Sequence, residues 1–264
     1  MSIMISLKLR LIREHNRVYK CWMRLLWHLY GMQSPLVLIV HGFKPTKEDC
    51  KSAFEMAAVS FERLMTFLTD RGWHAMTYDE LKQMVETKQW KPKHFYLTFD
   101  DTYDTVYSEA YPVLKKLNIP FTMFITKGLV GTKDFITMEH LKDLAKDPLC
   151  TIGCHGLEHK VFRDFTPEEM ECQCKVEKEW LEKTLDIKVD SFAFPYGRIV
   201  EVSNSNRRQI ANMNFSLAFS AIEGTLRSVW WTGKHYLPRV NVSETFVERF
   251  TQGKFLRYKD CEGR

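Results

Sequence analysis

Short apolar runs alternate with longer segments of helical periodicity along most of the chain, and this alternation constrains the fold more than any other feature. The runs that we interpret as buried strands are 35–40, 74–78, 94–99, 121–126, 150–154, 190–194 and 215–219. The segments between them with apolar residues at helical spacing are 51–71, 80–88, 104–117, 138–146 and 167–185. This rhythm predicts a parallel sheet flanked by helices. A barrel and a doubly wound sheet both fit it, and in either the chemistry belongs at the carboxyl ends of the strands.

Capping and terminating residues mark the predicted helix boundaries. Gly72 predicts the end of the first helix, and Asp79 is placed to cap the second. Thr137 and Thr166 are placed to cap the fourth and fifth helices, and Pro follows Thr166 at the first helical position. Each predicted helix therefore has at least one end signal of its own.

The length and composition indicate one large globular domain. The chain has 264 residues, which is enough for a single α/β domain with a full core. Hydrophobic residues make up 45% and charged residues 27%, as is ordinary for a soluble globular protein. No linker rich in Pro, Gly or Ser divides the chain, so we assign residues 35–264 to one catalytic domain and residues 1–34 to a basic amphipathic N-terminal segment.

The N-terminal segment carries most of the formal net charge of +5. Its basic residues, which have only Glu14 against them, are Lys8, Arg10, Arg13, Arg17, Lys20 and Arg24. Its apolar stretches are short and broken by charge, so they predict neither a signal peptide nor a membrane span. The segment could lie on an anionic membrane surface or on a partner, or it could pack on the domain with its basic face in solvent. We favour the packed helix.

The charge outside the N-terminal segment and the number of cysteines allow expectations about binding partners and about the cellular compartment of the protein. Outside the N-terminal segment the charges nearly balance, so we expect no nucleic-acid partner. The seven cysteines are odd in number and lack the spacing of a disulfide framework. They indicate reduced thiols and hence a cytoplasmic protein, with peripheral contact at the inner membrane face if the N-terminal segment binds lipid.

Polar, titratable residues follow four of the predicted strands. They are His41, the pair Asp100 and Asp101, the pair His155 and His159, and Pro195 with Tyr196. Two adjacent carboxylates at the end of a buried strand are electrostatically unfavourable unless a cation or a donor compensates them. The two histidines are four residues apart and can face one point, so with one carboxylate they would supply the three ligands of a catalytic metal. The alternative is a pair of exposed loop histidines with a capping aspartate.

Three of these strand ends form an ordered set of motifs. They read TFDD at residues 98–101, HGLEH at 155–159 and FAFPYG at 192–197. Together with their intervals, they resemble the polysaccharide deacetylase family, carbohydrate esterase family 4. The resemblance extends over residues 36–242 and implies a distorted, incomplete (β/α) barrel with fewer than eight complete units.

The resemblance also implies roles for individual residues. The ligands that it implies for a divalent metal, expected to be zinc, are Asp101, His155 and His159. Asp100 would be the general base that takes a proton from the attacking water. The backbone N–H of Tyr196, aimed by Pro195, would bind the oxyanion.

Four positions depart from the family pattern. Gly156 replaces a Ser or Thr, so a hydroxyl that would steady that loop is absent. Thr102 stands where Gly is usual, so we expect its backbone to avoid positive φ and the following helix to begin there. Ala193 replaces an Arg that neighbours the base, and Arg239 is the candidate to supply that cation instead. The general acid of the family is a late His, for which His235 is the candidate.

These observations predict a metal-dependent hydrolase that removes an N-acetyl group from a sugar in a glycan, a glycolipid or a surface-polysaccharide intermediate. The expected partner is an N-acetylated sugar or glycan substrate. Two alternatives stay open: a catalytically inert carbohydrate-binding domain of the same fold, and a hydrolase of another amide C–N bond.

Overall fold

Seven parallel strands close into a barrel in the computed structural model, which describes residues 17–22, 25 and 34–254. The described strands are β1 (Leu36–Val40), β2 (Gly42–Lys44), β3 (Glu55–Ala57), β4 (His74–Ala75), β5 (His94–Phe99), β6 (Phe121–Ile125), β7 (Cys150–Cys154), β8 (Ser191–Ala193), β9 (Leu217–Glu223) and β10 (Leu237–Asn241). The order around the barrel is β1, β10, β9, β8, β7, β6 and β5, and β5 pairs again with β1. The short strand β4 adds to β5, while β2 and β3 form a separate pair.

Helices surround this barrel and connect most of its strands. The described helices are α1 (Ala58–Asp70), α2 (Tyr78–Thr87), α3 (Tyr111–Leu117), α4 (Met138–Lys146), α5 (Pro167–Leu185), α6 (Asn204–Asn212), α7 (Val229–Thr232) and α8 (Glu244–Thr251). A π-helical turn, Val106–Ala110, precedes α3. The expected incomplete (β/α) barrel is confirmed, and the doubly wound sheet is excluded because β1 pairs with both β5 and β10.

Both faces of the barrel strands are buried, which explains why they read as continuous apolar runs. In β1, Leu38 packs in the core between the strands and the surrounding helices. Its neighbour Val37 packs in a second cluster with Tyr96 and Phe219 inside the barrel. Because side chains alternate along a strand, Asp100 continues the inward row that begins with Tyr96.

Several predicted elements agree with the structure, and α5, β5 and β7 begin and end where the sequence placed them. The helix predicted over 51–71 begins only at Ala58, because residues 55–57 pair with β2 instead. The carboxylate of Glu244 also accepts the Ala57 N–H at 2.8 Å, which fixes the chain just before α1.

Two further boundaries were predicted wrongly. The strand expected over 74–78 is only His74–Ala75. The second helix is capped by Thr77 rather than by Asp79, since Thr77 and Glu80 form a reciprocal capping box. The sequence reading also assigned no strand to the segment that forms β10.

Most of the N-terminal segment lies outside the described residues, and so does the membrane contact that was considered as an alternative to packing on the domain. Within it, residues 17–22 are helical, and the buried Tyr19 donates a hydrogen bond to the Glu223 carbonyl at 3.2 Å. No helix in the described part of the chain is both long and apolar enough to cross a bilayer. The division at residue 34 stays a prediction.

Candidate active site

Asp100 lies inside the barrel at the end of β5 and is bound by Arg239 of β10. The Arg239 Nη1 and Nη2 atoms donate to the two Asp100 carboxylate oxygens at 2.7 and 2.6 Å. Both side chains are almost completely buried, so this is a desolvated bidentate pair. The contact agrees with the expectation that Arg239 supplies the cation missing at Ala193. A part for Arg239 in catalysis stays a prediction.

The barrel interior holds the Arg239 guanidinium from several sides. Its Nε donates to the Ser220 carbonyl at 2.7 Å, and Nη1 also donates to the Thr98 hydroxyl at 3.1 Å. The rings of Phe124 and Phe219 each lie 5.9 Å from the guanidinium carbon. The guanidinium therefore has a fixed position, and it fixes the orientation of the Asp100 carboxylate.

The protonation state of Asp100 follows from this environment. Burial by itself raises the pKa of a carboxyl group, but the charges of Arg239 and His155 outweigh burial and lower the pKa of Asp100 below its ordinary value. Asp100 is therefore an ionised carboxylate at neutral pH.

The backbone turns sharply after β5, at Asp101 and Thr102. Asp101 and Thr102 both adopt left-handed conformations, with φ of 65° and 62°. This contradicts the expectation that Thr102 would avoid positive φ and begin a helix. The Thr102 hydroxyl accepts the Thr126 N–H at 2.7 Å, and the Thr102 carbonyl accepts the Ile136 N–H at 2.9 Å. These two hydrogen bonds hold a β-branched residue in a strained conformation.

The turn brings Asp101 to both histidines of the second motif. Its Oδ1 lies 3.2 Å from His155 Nε2 and 3.0 Å from His159 Nε2. His155 Nδ1 donates to the Ala193 carbonyl at 2.8 Å, which fixes the ring and leaves Nε2 facing the carboxylate. These three side chains are the group within the described residues whose ligand atoms could hold a metal ion.

The donor set fits a divalent transition metal. One carboxylate oxygen and two imidazole nitrogens converge within 4.8 Å of one another, and such a set is typical of catalytic zinc sites. In the metal-free protein, Asp100 and Asp101 raise the pKa of His155 although burial opposes this. The hydrogen bonds from His155 and His159 in turn lower the pKa of Asp101 well below its ordinary value, again against burial. The three groups thus favour a positive charge between them.

The third motif forms a tight turn beside this group. Tyr196 and Gly197 have φ of 59° and 60°, and a side chain at Gly197 would come within 2.6 Å of the Ala221 backbone nitrogen. The buried Tyr236 hydroxyl donates to the Gly197 carbonyl at 2.8 Å. The half-exposed Tyr196 ring lies 4.6 Å from the His159 ring, so the turn places Tyr196 at the mouth of the site after Pro195.

The expected position of His235 in the site is wrong. His235 lies two residues before the start of β10, whereas Arg239 and Asn241, toward the end of this strand, line the cleft. His235 therefore lies toward the opposite end of the barrel. Its Nε2 donates to the Phe215 carbonyl at 3.0 Å. No strand was predicted from the sequence over the residues that form β10. The direction of this strand, and therefore the end of the barrel at which His235 lies, could not be predicted.

His41, which follows β1, lies in the cleft instead. It is buried, its ring contacts Phe54 edge-on at 4.9 Å, and its Nδ1 has no hydrogen-bond partner among the described residues. Burial lowers the pKa of His41 below its ordinary value, although the charges of Asp101 and Asp100 oppose this. The sequence placed His41 at the correct strand end but gave it no role.

One cleft contains all of these groups. It has a volume of about 200 Å³, and its walls combine the titratable residues with apolar side chains, among them Ile39, Phe54 and Phe194. An ionised carboxylate, a candidate metal site and a buried histidine therefore face one partly apolar space. Such a space suits the hydrolysis of a small acyl group.

Sequence comparisons place the chain among known proteins. Residues 87–215 match the family model described as polysaccharide deacetylase. A putative polysaccharide deacetylase of Bacillus subtilis, YxkH, is 31% identical over 143 residues, which are 53% of this chain and 50% of that protein. The poly-beta-1,6-N-acetyl-D-glucosamine N-deacetylase of Staphylococcus aureus is 23% identical over 222 residues, which are 79% of this chain and 74% of that protein. The chain thus spans half the length of the first relative.

Solved structures share the fold. The structure of the Streptococcus pyogenes deacetylase PplD in complex with acetate has a TM-score of 0.72 at 20% identity, and the alignment covers 83% of this chain and 97% of that chain. The structure of IcaB from Ammonifex degensii has a TM-score of 0.71 at 24% identity, and the alignment covers 83% of this chain and 96% of that chain. At these identities the likeness concerns the fold alone.

Proposed function

Because this chain belongs to the polysaccharide deacetylase family, we propose that it is a metal-dependent hydrolase that removes N-acetyl groups from N-acetylglucosamine units of a glycan. One observation carries the proposal: Asp101, His155 and His159 converge on one point, while Arg239 holds Asp100 beside them as a separate carboxylate. A metal site next to an independent ionised base is what metal-assisted amide hydrolysis requires.

Asp101, His155 and His159 would hold the metal, and their donor set supports zinc. A bound zinc ion would lower the pKa of a water molecule and polarise the acetyl carbonyl. His155 is suited to ligation because its Nδ1 is committed to the Ala193 carbonyl, so its Nε2 can offer a lone pair.

Three groups of the protein would act on the reacting atoms, two by proton transfer and one by a hydrogen bond. Asp100 accepts the proton of the attacking water, since it is ionised and held in one orientation by Arg239. The Tyr196 backbone N–H donates to the oxyanion, a type of contact whose loss typically raises a barrier by about 3–4 kcal/mol. His41 replaces His235 as the candidate for proton transfer to the leaving amine, because it is the buried histidine in the cleft with an unpartnered nitrogen. Its lowered pKa keeps the imidazole neutral, so it would pass on the proton that Asp100 takes from the water.

The shape of the cleft and the names of the relatives support this substrate class. The apolar side chains near the titratable groups give the acetyl methyl group a place to pack, while Tyr196 at the mouth offers an aromatic surface for a sugar ring. The S. aureus relatives are named for poly-beta-1,6-N-acetyl-D-glucosamine, which makes N-acetylglucosamine polymers the first substrates to test.

The test is acetate release from N-acetylglucosamine oligomers by the zinc-loaded protein. We expect turnover that is lost with a chelator and restored by zinc. Activity that survives Asp101→Ala or His155→Ala would refute the proposal. Glycan binding without acetate release would instead support an inert carbohydrate-binding domain, and release of ammonia or an amine from other amides would indicate a different C–N hydrolase.

A further inference from the structure

The loop between the two histidines of the candidate metal site is attached to one face of α5. Three consecutive backbone N–H groups of this loop donate to Gln173 and Glu177. Gly156 donates to Glu177 Oε2 at 2.7 Å, and Glu158 donates to the Gln173 side-chain oxygen at 2.9 Å. Between them, the Leu157 N–H donates to the Gln173 carbonyl at 2.9 Å. Gln173 and Glu177 are one helical turn apart, so both face the loop.

Glu177 also ties this loop to the neighbouring strand end. Its second oxygen, Oε1, accepts the Lys127 N–H at 2.9 Å, just after β6. The side chain has no solvent exposure, so both carboxylate oxygens are committed to backbone donors in a desolvated place. A carboxyl group in this position, whose two oxygens both accept backbone N–H groups, fixes the loops after β6 and β7 relative to each other.

Apart from these contacts, the described backbone of the loop is held by the Gly128 N–H, which donates to the Leu157 carbonyl at 2.9 Å, and by the Lys160 N–H, which donates to the Glu158 carbonyl at 2.6 Å. Gly156 has a φ of +92° and carries no side chain that could hold the turn. His155 is fixed by the Ala193 carbonyl, but the described contacts of the His159 side chain are those with Asp101, His155 and Tyr196. The position of His159 relative to His155 therefore depends on the path of residues 156–158.

We propose that Gln173 and Glu177, which we call the α5 clamp, are positioning residues that hold His159 where it can share a metal ion with Asp101 and His155. The clamp takes the place of the missing hydroxyl at Gly156, acting from a separate helix through the loop backbone. This inference rests on the proposed function, since the metal site is part of that proposal.

The test compares zinc affinity, measured by competition with a chromogenic chelator, between wild type and two clamp variants. Glu177→Gln keeps one acceptor oxygen and turns an amide NH₂ toward the other backbone donor, while Gln173→Leu removes the side-chain acceptor. Leu181→Ala is the matched control, because Leu181 is also fully buried on α5 and belongs to the hydrophobic core. Melting temperatures of the metal-free proteins report the loss of stability in each variant.

We expect each clamp variant to bind zinc about 10-fold or more weakly and to lose kcat while KM changes little, as is typical when groups that orient metal ligands are removed. Leu181→Ala should lower the melting temperature without changing zinc affinity. Amide hydrogen exchange over residues 155–159 of the metal-free protein should accelerate in Glu177→Gln and not in Leu181→Ala.

The possible failures are distinguishable. If wild type binds zinc and Glu177→Gln binds it equally well, or no worse than Leu181→Ala does, the clamp is refuted and the proposed function stands. If wild type binds no zinc and releases no acetate, the proposed function fails and the metal-positioning role fails with it.

Discussion

The guanidinium of Arg239 holds both carboxylate oxygens of Asp100 across the inside of the barrel, at 2.6 and 2.7 Å, although the two residues are 139 positions apart in the chain. The pair joins the ends of strands that are not direct neighbours in the sheet, since β1 lies between β5 and β10. Arg239 orients the candidate base, and together with the charge of His155 it keeps that base ionised.

Arg239→Lys should weaken catalysis while leaving zinc binding intact. Lysine keeps the charge but cannot donate to both oxygens, so we expect kcat to fall by roughly 10- to 100-fold, as for the loss of one charged hydrogen bond. Arg239→Met leaves a buried carboxylate unpaired and should lower the free energy of unfolding by about 3–5 kcal/mol. Denaturant unfolding and acetate release measure the two effects, and wild-type stability in Arg239→Met would contradict the second.

Asp100 and Asp101 should respond differently to the same substitution. Asp101→Asn replaces the oxygen that lies 3.0 and 3.2 Å from the two histidine nitrogens, so we expect loss of bound metal and of turnover. Asp100→Asn should keep its metal and lose turnover, because Asp100 is proposed as the base rather than as a ligand. Elemental analysis with acetate assays decides the matter, and equal metal loss in both variants would argue against this division of roles.

His41→Gln should reduce kcat strongly, by about 100-fold or more if His41 is the proton donor. His235→Gln is its control, and we expect it to retain wild-type turnover because His235 lies away from the cleft. Zinc content should be unchanged in both variants. Full activity in His41→Gln would remove His41 from the proposed mechanism.

Thr102→Val should destabilise the protein. Valine has the same shape but cannot accept the buried Thr126 N–H that lies 2.7 Å from the Thr102 hydroxyl, and an unsatisfied donor costs about 1–3 kcal/mol. Thr102→Ser keeps the acceptor and should unfold close to wild type. The prediction fails if urea titration finds the two variants equally stable.

The stability of the metal-free protein should decrease as pH rises from about 5 to about 8. Burial raises the pKa of Glu177 to about 8 from an ordinary value of 4.5, although the Lys127 and Gly156 N–H groups favour the ionised form. The folded state therefore binds more protons than the unfolded state in this interval, and this residue contributes a loss of about 1.4 kcal/mol per pH unit. Glu177→Gln should flatten the profile by that amount. A profile of the same slope in both proteins would show that Glu177 does not titrate in this way.

Local signals in the sequence were enough to predict most of the strands and helices and most residues of the candidate site. Apolar runs and capping residues are local signals, so β5, β7 and α5 could be placed to the residue. Parallel strands put their carboxyl ends on one side, which was enough to predict that the aspartate pair and the two histidines lie together. The choice of Asp101 as the ligand was implied by the family resemblance, and the structure brings Asp101 together with His155 and His159.

Which distant groups meet, and how the backbone turns between them, could be learned only from the folded chain. The hydrogen bonds from Arg239 to Asp100 and the position of His41 in the cleft depend on the strand order of the closed barrel and on the direction of β10. The strained Thr102 conformation depends on hydrogen bonds to Thr126 and Ile136, which belong to other segments. Local propensity favours the opposite conformation at Thr102, and the energy of long-range contacts overrides it.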